Sequence, residues 1–271
     1  DATESLLDHG YKELAIPATA YQWFRLSPHA LHIWPRSAHM LIALPNLHGD
    51  FTATLFLAND DQPGFSELVT EDDVAKFFAA HYPNVSAFTP DLVVDFLRNP
   101  VGIMGTVRCR HWHIDGDVLL IGDAAHAIVP FHGQGMNAAL EDCWVFEQLF
   151  QRIGPDWATL FATFEHKRRV HTNAIATMAL ENYEEMRETV RDPAFHVRKA
   201  LAFALERELP ERFVTRYAMV MFRPDIGYAD AQRRGALQAQ LLHEFSAGVD
   251  SVDDIDLARA IAVVKERLAP L

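Results

Sequence analysis

The sequence predicts an α+β fold in which an antiparallel β-sheet, an α/β portion and a helical region follow one another along the chain. Short β-rich runs, broken by Pro, Gly, Asn and Asp, occupy residues 11–57. A strand, a glycine-containing loop and a helix follow one another over residues 118–150. From residue 155 onward, apolar residues recur mostly at helical spacing.

Four β-rich runs predict the strands of the antiparallel sheet. They cover residues 11–16, 31–34, 39–44 and 51–57. Because side chains alternate along a strand, Met40, Ile42 and Leu44 share one face of the third run. Thr54 and Phe56 share one face of the fourth run in the same way.

Helices and two further strands follow the sheet. Helices are predicted over residues 65–69, 74–81 and 90–97, and strands over residues 105–112 and 118–121. A long helix has Pro155 near its first turn and extends to about residue 191, before Pro193. Three more helices are predicted over residues 194–208, 228–245 and 257–268.

The composition indicates a folded protein without a nucleic-acid partner. The chain has 271 residues, of which 49% are hydrophobic, and this is enough to bury a sizeable core. A net charge of −13 argues against nucleic-acid binding. The basic run Lys167-Arg168-Arg169 is short, and we interpret it as a solvated helix face.

Cysteine and histidine usage indicates neither a disulfide framework nor a metal site. Cys109 and Cys143 fall in a predicted strand and a predicted helix, which favours a reducing, cytoplasmic location. His111 and His113 are expected on one face of a strand rather than at a metal. No apolar run reaches the roughly 18 residues that span a bilayer, so no membrane partner is predicted.

A strand that ends in an acidic turn opens the segment with the most chemistry. The apolar run over residues 118–121 is predicted to be a buried strand, and Gly122-Asp123 ends it. A carboxylate at such a strand end accepts hydrogen bonds from sugar or sugar-alcohol hydroxyls. Asp123 is therefore a candidate binding residue.

A glycine-containing loop and a helix follow this turn. Pro130 lies in the loop, and Gly133 and Gly135 allow the backbone to approach a flat ring closely. The helix start over residues 134–138 offers unpaired N–H groups and a positive dipole end. Strand, acid, loop and helix start together predict a place for a large polar cofactor. The helix itself is predicted from apolar residues three or four apart: Met136, Leu140, Cys143, Phe146 and Phe150.

Two other interpretations of this segment are available. An ordinary strand–loop–helix unit explains the glycines, but not an acid, a proline and an asparagine at these spacings. Residues 133–138 also fit the dinucleotide fingerprint G-x-G-x-x-A, which should directly follow a strand. More than ten residues separate Ile121 from Gly133, and no acidic strand end follows about twenty residues later. We therefore reject the fingerprint.

These residues resemble the second FAD motif of the aromatic-hydroxylase class of flavoprotein monooxygenases. The resemblance implies the fold of that class, with FAD as cofactor and NADPH as co-substrate. Members place a G-x-G-x-x-G unit at the N-terminus, and the start of this sequence contains none. We therefore expect the chain to be about the C-terminal two-thirds of an enzyme, and we expect the chain alone to hold FAD poorly. The motif implies the following cofactor-binding residues: Gly122, Asp123, Pro130, Gly133, Gln134, Gly135, Met136 and Asn137.

Further segments resemble the kynurenine 3-monooxygenases, in particular the soluble bacterial ones. They are residues 31–36, 42–46, 54–56, 131–143, 179–186 and 216–222. The resemblance implies an apolar slot for the aryl end of the substrate, formed by Leu31, Met40, Ile42, Leu44, Phe56 and Phe131. For the charged end it implies Asn182, Met186 and Tyr217. For His132 it implies a pocket wall, with hydrogen bonding to the substrate or the peroxide as the alternative role.

The resemblance also implies domains and an activity. Residues 10–112 form a substrate-binding sheet with helices, residues 113–154 the second half of the FAD-binding domain, and residues 155–271 a helical region. The implied activity is hydroxylation of L-kynurenine to 3-hydroxykynurenine with O2 through a flavin hydroperoxide, a step of tryptophan degradation. A salicylate-like phenol as substrate, and a non-catalytic half-domain that binds a partner, are the alternatives.

Overall fold

The structure, a computed structural model, describes residues 2–187 and 192–271, and for residue 187 only the backbone. These residues divide into two units. The sheet unit comprises residues 5–105 with 186–187, and the helical unit comprises residues 2–4, 106–185 and 192–271. The three-part division expected from the sequence is finer than this and stays a prediction.

The predicted antiparallel sheet is confirmed. Its five strands are β1 (Ala2–Ile16), β2 (His32–Pro35), β3 (Met40–Pro45), β4 (Phe51–Ala58) and β5 (Gly102–Cys109). Their order across the sheet is β2-β3-β4-β1-β5, and β4 is antiparallel to both β3 and β1. Strand β1 starts well before the predicted residue 11. Met40 pairs with Phe56 and Ile42 pairs with Thr54, so Met40, Ile42 and Leu44 share one face of β3 as predicted, and Thr54 and Phe56 lie on the same face of the sheet.

The opposite face of the sheet carries the core of this unit. Leu41, Ala43 and Leu55 lie fully buried in one cluster with side chains of α1 (Glu71–His81), α2 (Pro83–Phe88) and α3 (Leu92–Arg98). Helix α1 begins where Thr70 and Asp73 form a capping box, each side chain accepting from the other residue's backbone N–H.

Two sequence predictions in this unit are wrong in detail. The helix predicted over residues 65–69 is a single 3-10 turn, Phe65–Glu67, because the chain turns at Leu68 before the cap of α1. Helix α2, which has Pro83 in its first turn, was not predicted because six residues are too few for a helical period.

The helical unit contains a two-stranded ribbon and seven helices among its described residues. The strands are β6 (His113–Ile114) and β7 (Val118–Leu119). The helices are α4 (Asp123–His126), α5 (Gly135–Ile153), α6 (Trp157–Arg187), α7 (Pro193–Glu208), α8 (Arg216–Phe222), α9 (Tyr228–Ser246) and α10 (Leu257–Arg267). Leu201, Leu241 and Val264 join α7, α9 and α10 in one core. The predicted end of the long helix near residue 191 lies outside the described residues.

Strand β7 and helix α5 differ from expectation in what they bury. Val118 is 48% exposed and Ile121 37% exposed, because among the described strands β7 pairs only with β6. A strand forms over Val118–Leu119 only, and the predicted burial is wrong for Val118 and Ile121. In α5, Met136 is 74% exposed and Leu140 60% exposed, whereas Asp142 is fully buried. The helix is confirmed, but a carboxylate lies on its inward side.

Among the described residues, no helix combines the length and the apolar character that crossing a membrane requires.

Candidate functional site

The segment from Gly122 to Ala138, here called the glycine loop, follows β7, includes α4 and ends in the first turn of α5, and it contains two left-handed glycines. Gly122 has φ +62° and Gly133 has φ +63°, a region that only glycine enters without strain. A Cβ on Gly122 would lie 3.3 Å from the Cβ of Ala139, whereas one on Gly133 would meet nothing within 4 Å. The first glycine is needed for packing as well as for the turn, and the second faces open space.

Asp123 and the start of α5 are the polar groups that the loop presents to solvent. Asp123 is exposed and heads α4 immediately after the turn at Gly122. Helix α5 begins at Gly135, and among the described residues no side chain caps its first N–H groups. An exposed carboxylate and an uncapped helix start fit a ligand that has hydroxyl groups and an electron-rich ring edge. FAD has both.

Gln134, a predicted cofactor-binding residue, links the loop to helix α9, and Asn137, another predicted cofactor-binding residue, bonds to Gln134. The Gln134 side chain is buried, and its Oε1 accepts from Asn137 Nδ2 at 3.1 Å and from the Tyr228 hydroxyl at 3.0 Å. Burial raises the pKa of Tyr228 to about 12, so this hydroxyl stays protonated and donates. Both amide side chains therefore face protein groups, and their role toward the cofactor stays a prediction.

A buried charged cluster, which the sequence did not reveal, lies beneath the loop. The Asp142 carboxylate accepts from His126 Nε2 at 2.6 Å, from the Gly122 N–H at 3.0 Å and from Arg168 Nε at 2.6 Å. Burial alone raises the pKa of Asp142, but the hydrogen bonds from His126 and Arg168 outweigh it and lower that pKa. Arg168 is only 2% exposed, so the solvated-face interpretation is wrong for this residue of the basic run, while Lys167 is exposed.

The predicted substrate-binding residues of the helical unit meet at Phe131 and His132. Asn182 Nδ2 donates to the Phe131 carbonyl at 2.6 Å. The Phe131 ring stacks on Tyr183 with centroids 4.4 Å apart, and the His132 ring stacks on Tyr217 with centroids 5.7 Å apart. Helices α6 and α8 therefore bracket this part of the loop. Tyr183 was not predicted, although it stands in the motif that contains Asn182.

His132 is buried, and no described residue hydrogen-bonds to its side chain. The residue is 4% exposed, and both ring nitrogens lack a partner among the described groups. Burial, with a smaller contribution from the positive charge of Arg216, lowers the pKa of His132 to about 4. Arg216 itself is paired with Glu181. The imidazole is therefore neutral near pH 7 and is a weak base.

The sheet unit carries the remaining predicted substrate-binding residues. Met40 and Phe56 are cross-strand partners and are both buried, while Leu44 lies on the same face and is exposed. Ile42 lies between them on this face, Leu31 precedes β2 and is exposed, and Met186 belongs to this unit.

Two residues on this face were not predicted. Tyr11 pairs with Phe56 across the strands, and Glu13 pairs with Thr54. Side chains alternate along β1, and this alternation in the sequence was the signal that could have placed both residues on this face.

Among the described residues, no group of three or more His, Cys, Asp or Glu side chains is placed to hold a metal ion.

Comparison with known proteins identifies similar sequences and folds. A family model described as "FAD binding domain" matches residues 32–179. The kynurenine 3-monooxygenase of Myxococcus xanthus is 46% identical over 268 residues, and that of Stenotrophomonas maltophilia is 45% identical over 267 residues. These alignments cover 99% and 98% of this chain but 57% and 58% of the relatives, so the chain spans less than three fifths of their length.

Solved structures agree on the fold. A tetrameric form of 2-methyl-3-hydroxypyridine-5-carboxylic acid oxygenase matches 71% of this chain and 52% of its own, with a TM-score of 0.57 and 16% identity. Klebsiella pneumoniae HpxO, complexed with FAD and uric acid, matches 87% of this chain and 56% of its own, with a TM-score of 0.56 and 18% identity.

Proposed function

Because the chain belongs to the FAD binding domain family, we propose that the protein uses FAD and NADPH to hydroxylate L-kynurenine with O2. The relatives that are 45–46% identical over nearly the whole chain are named for this activity. The observation that carries the proposal is the double role of the glycine loop. Its start presents the exposed Asp123 carboxylate, and its middle presents Phe131 and His132 against two helices that carry polar side chains.

The reaction assigns specific tasks to these residues. The chemistry that FAD would supply, with NADPH as reductant, is the activation of O2, so that one oxygen atom would enter the aromatic ring and the other would leave as water. The aryl amino group of kynurenine already activates the neighbouring carbon, so no strong protein base is needed. A neutral His132 agrees with this. The residues of the chain then position the ring and exclude water.

Asn182 and Tyr217 position the substrate side of the loop in this proposal. The hydrogen bond from Asn182 fixes the Phe131 carbonyl, and the stacked Tyr217 ring covers His132 while its own edge stays half exposed. The apolar face with Met40 and Phe56 supplies a surface suited to an aryl group. The polar end of kynurenine is assigned to Asn182, Met186 and Tyr217.

A phenol is the second candidate substrate, and His132 is the observation that favours it. A phenol hydroxylase gains from a hydrogen-bond acceptor or relay at the ring hydroxyl. The two ring nitrogens of His132, which have no partner among the described residues, offer such a group.

A cytoplasmic location is also proposed, supported by the two free cysteines, Cys109 and Cys143, which suit a reducing compartment.

A substrate comparison tests the proposal. The protein is expressed from its complete reading frame, purified with its flavin, and supplied with NADPH and either L-kynurenine or salicylate. We expect kynurenine to accelerate NADPH oxidation and to yield hydroxylated product in proportion to the NADPH consumed. Hydroxylation of salicylate but not of kynurenine establishes the second candidate. A flavin-free protein that oxidises no NADPH with either compound contradicts both and supports a binding module.

A further inference from the structure

Beneath the glycine loop, Asp142, His126 and Arg168 form a cluster that no activity yet explains. The three side chains come from α5, α4 and α6, and each is at most 3% exposed. The carboxylate of Asp142 accepts three hydrogen bonds of 2.6–3.0 Å, one of them from the backbone. All of these donors belong to the helical unit.

The cluster bonds directly to both ends of the loop. At the strand end, Asp142 accepts from the N–H of Gly122, the left-handed residue that precedes Asp123. At the helix end, Arg168 Nη2 donates to the Ala138 carbonyl at 3.3 Å in the first turn of α5. A carboxylate and a guanidinium that are bonded to each other thus set the spacing between the acidic turn and the helix start.

We infer that Asp142 is a positioning residue for the flavin, acting through Gly122 and with His126 and Arg168 as its supports. This inference rests on FAD as the cofactor, and not on the identity of the aromatic substrate. Asp123 and the uncapped start of α5 must both face the same ligand, and their relative position depends on the cluster.

The energetics of buried charges support a positioning role. A buried ion pair contributes little net stability, because desolvation offsets most of the attraction. Its hydrogen bonds nevertheless require a narrow range of distances and angles. A low-dielectric surrounding strengthens these bonds, so that departures from this geometry cost more free energy. Asp142 is fully satisfied on both oxygens, and Arg168 also pairs with Glu141 at 2.9 Å. The cluster therefore fixes the orientation of the groups that it bonds more than it adds to the free energy of unfolding.

The matched pair Asp142→Asn and Glu165→Gln tests this role in the protein expressed from its complete reading frame. Glu165 is a second buried carboxylate of the helical unit; it accepts from the Trp112 N–H at 2.8 Å and pairs with Arg169 at 3.1 Å. It bonds to neither end of the loop. Each substitution replaces a carboxylate with an amide of the same shape.

Flavin affinity and apoprotein melting temperature are measured for both variants. We expect Asp142→Asn to weaken FAD binding about ten-fold or more, as for loss of a charged hydrogen bond, and to alter the visible circular dichroism of the bound flavin. Glu165→Gln is expected to lower the melting temperature similarly and to keep FAD affinity within about three-fold. Equal losses of affinity in the two variants, or native affinity in Asp142→Asn, overturn the inference.

A second pair decides the matter if Asp142→Asn does not fold. His126→Gln keeps an N–H donor near the Asp142 carboxylate, whereas His126→Phe removes it and keeps the ring. We expect the Gln variant to retain most of the FAD affinity that the Phe variant loses. The same affinity in both variants overturns the inference.

Discussion

Replacing His132 with phenylalanine is expected to make the protein less sensitive to acid. The ring is buried, and its pKa falls from 6.5 to about 4 on folding. Between these two values the unfolded chain binds more protons than the folded one, so stability falls as the pH decreases from about 6.5 toward about 4. From about pH 7 to about pH 5, this one group lowers the unfolding free energy by roughly 2 kcal/mol.

The phenylalanine variant removes this titration and keeps the stacking on Tyr217. Because neither nitrogen of His132 has a partner among the described residues, the substitution breaks no hydrogen bond with them. It also removes two buried polar atoms, so stability near pH 7 is expected to be equal to the native value or higher.

Urea unfolding of the two proteins at several pH values between about 5 and 7 measures the effect. Tyr217→Phe is the control, since it keeps the stacked pair and leaves His132 in place. The unfolding free energies of the His132→Phe and native proteins should diverge by roughly 2 kcal/mol as the pH is lowered. Parallel pH dependences in the two proteins would refute the burial argument.

Three further expectations concern the loop and its neighbours. Asp123→Ala, at an exposed residue, should weaken FAD binding about ten- to a hundred-fold with little change in melting temperature; unchanged flavin content after dialysis removes Asp123 from the cofactor site. Gly122→Ala should lower the free energy of unfolding by about 1–3 kcal/mol and Gly133→Ala by about 1 kcal/mol, because only the methyl group on Gly122 adds a close contact. Thermal melts of the two variants measure this order of stability. Asn182→Ala and Tyr217→Phe should each lower kcat/KM for kynurenine roughly ten-fold and divert oxygen to peroxide, so native kinetics with full coupling in both excludes them from the site.

The sequence predicted those parts of the site that follow a local period. Alternation placed Met40 and Ile42 on one face of their strand and Thr54 and Phe56 on one face of the next, and the observed register brings these two faces together. The two left-handed glycines lie in the loop where the motif places them. Such features depend on neighbours within a few residues, and these are visible in a single sequence.

The buried cluster was beyond prediction because its members are far apart in the chain. Asp142 and Arg168 belong to different helices, and the residues around each one in the sequence give no sign of a buried charge. Asp142 stands near apolar residues of α5, and Arg168 stands in a basic run of α6. Only tertiary packing brings them to 2.6 Å. Helix α8, with seven residues, was missed for another reason, since it is too short to show a period.

Helix α6 holds the loop at two points, and this has a consequence for motion. Asn182 bonds to the Phe131 carbonyl and Arg168 to the Ala138 carbonyl, and these two residues are fourteen positions apart, or about 21 Å along one helix. The middle of the loop therefore cannot move away from α6 unless one of these hydrogen bonds breaks. Its amide protons should exchange with solvent in step with those of α6, as one cooperative unit rather than as a freely fluctuating surface segment.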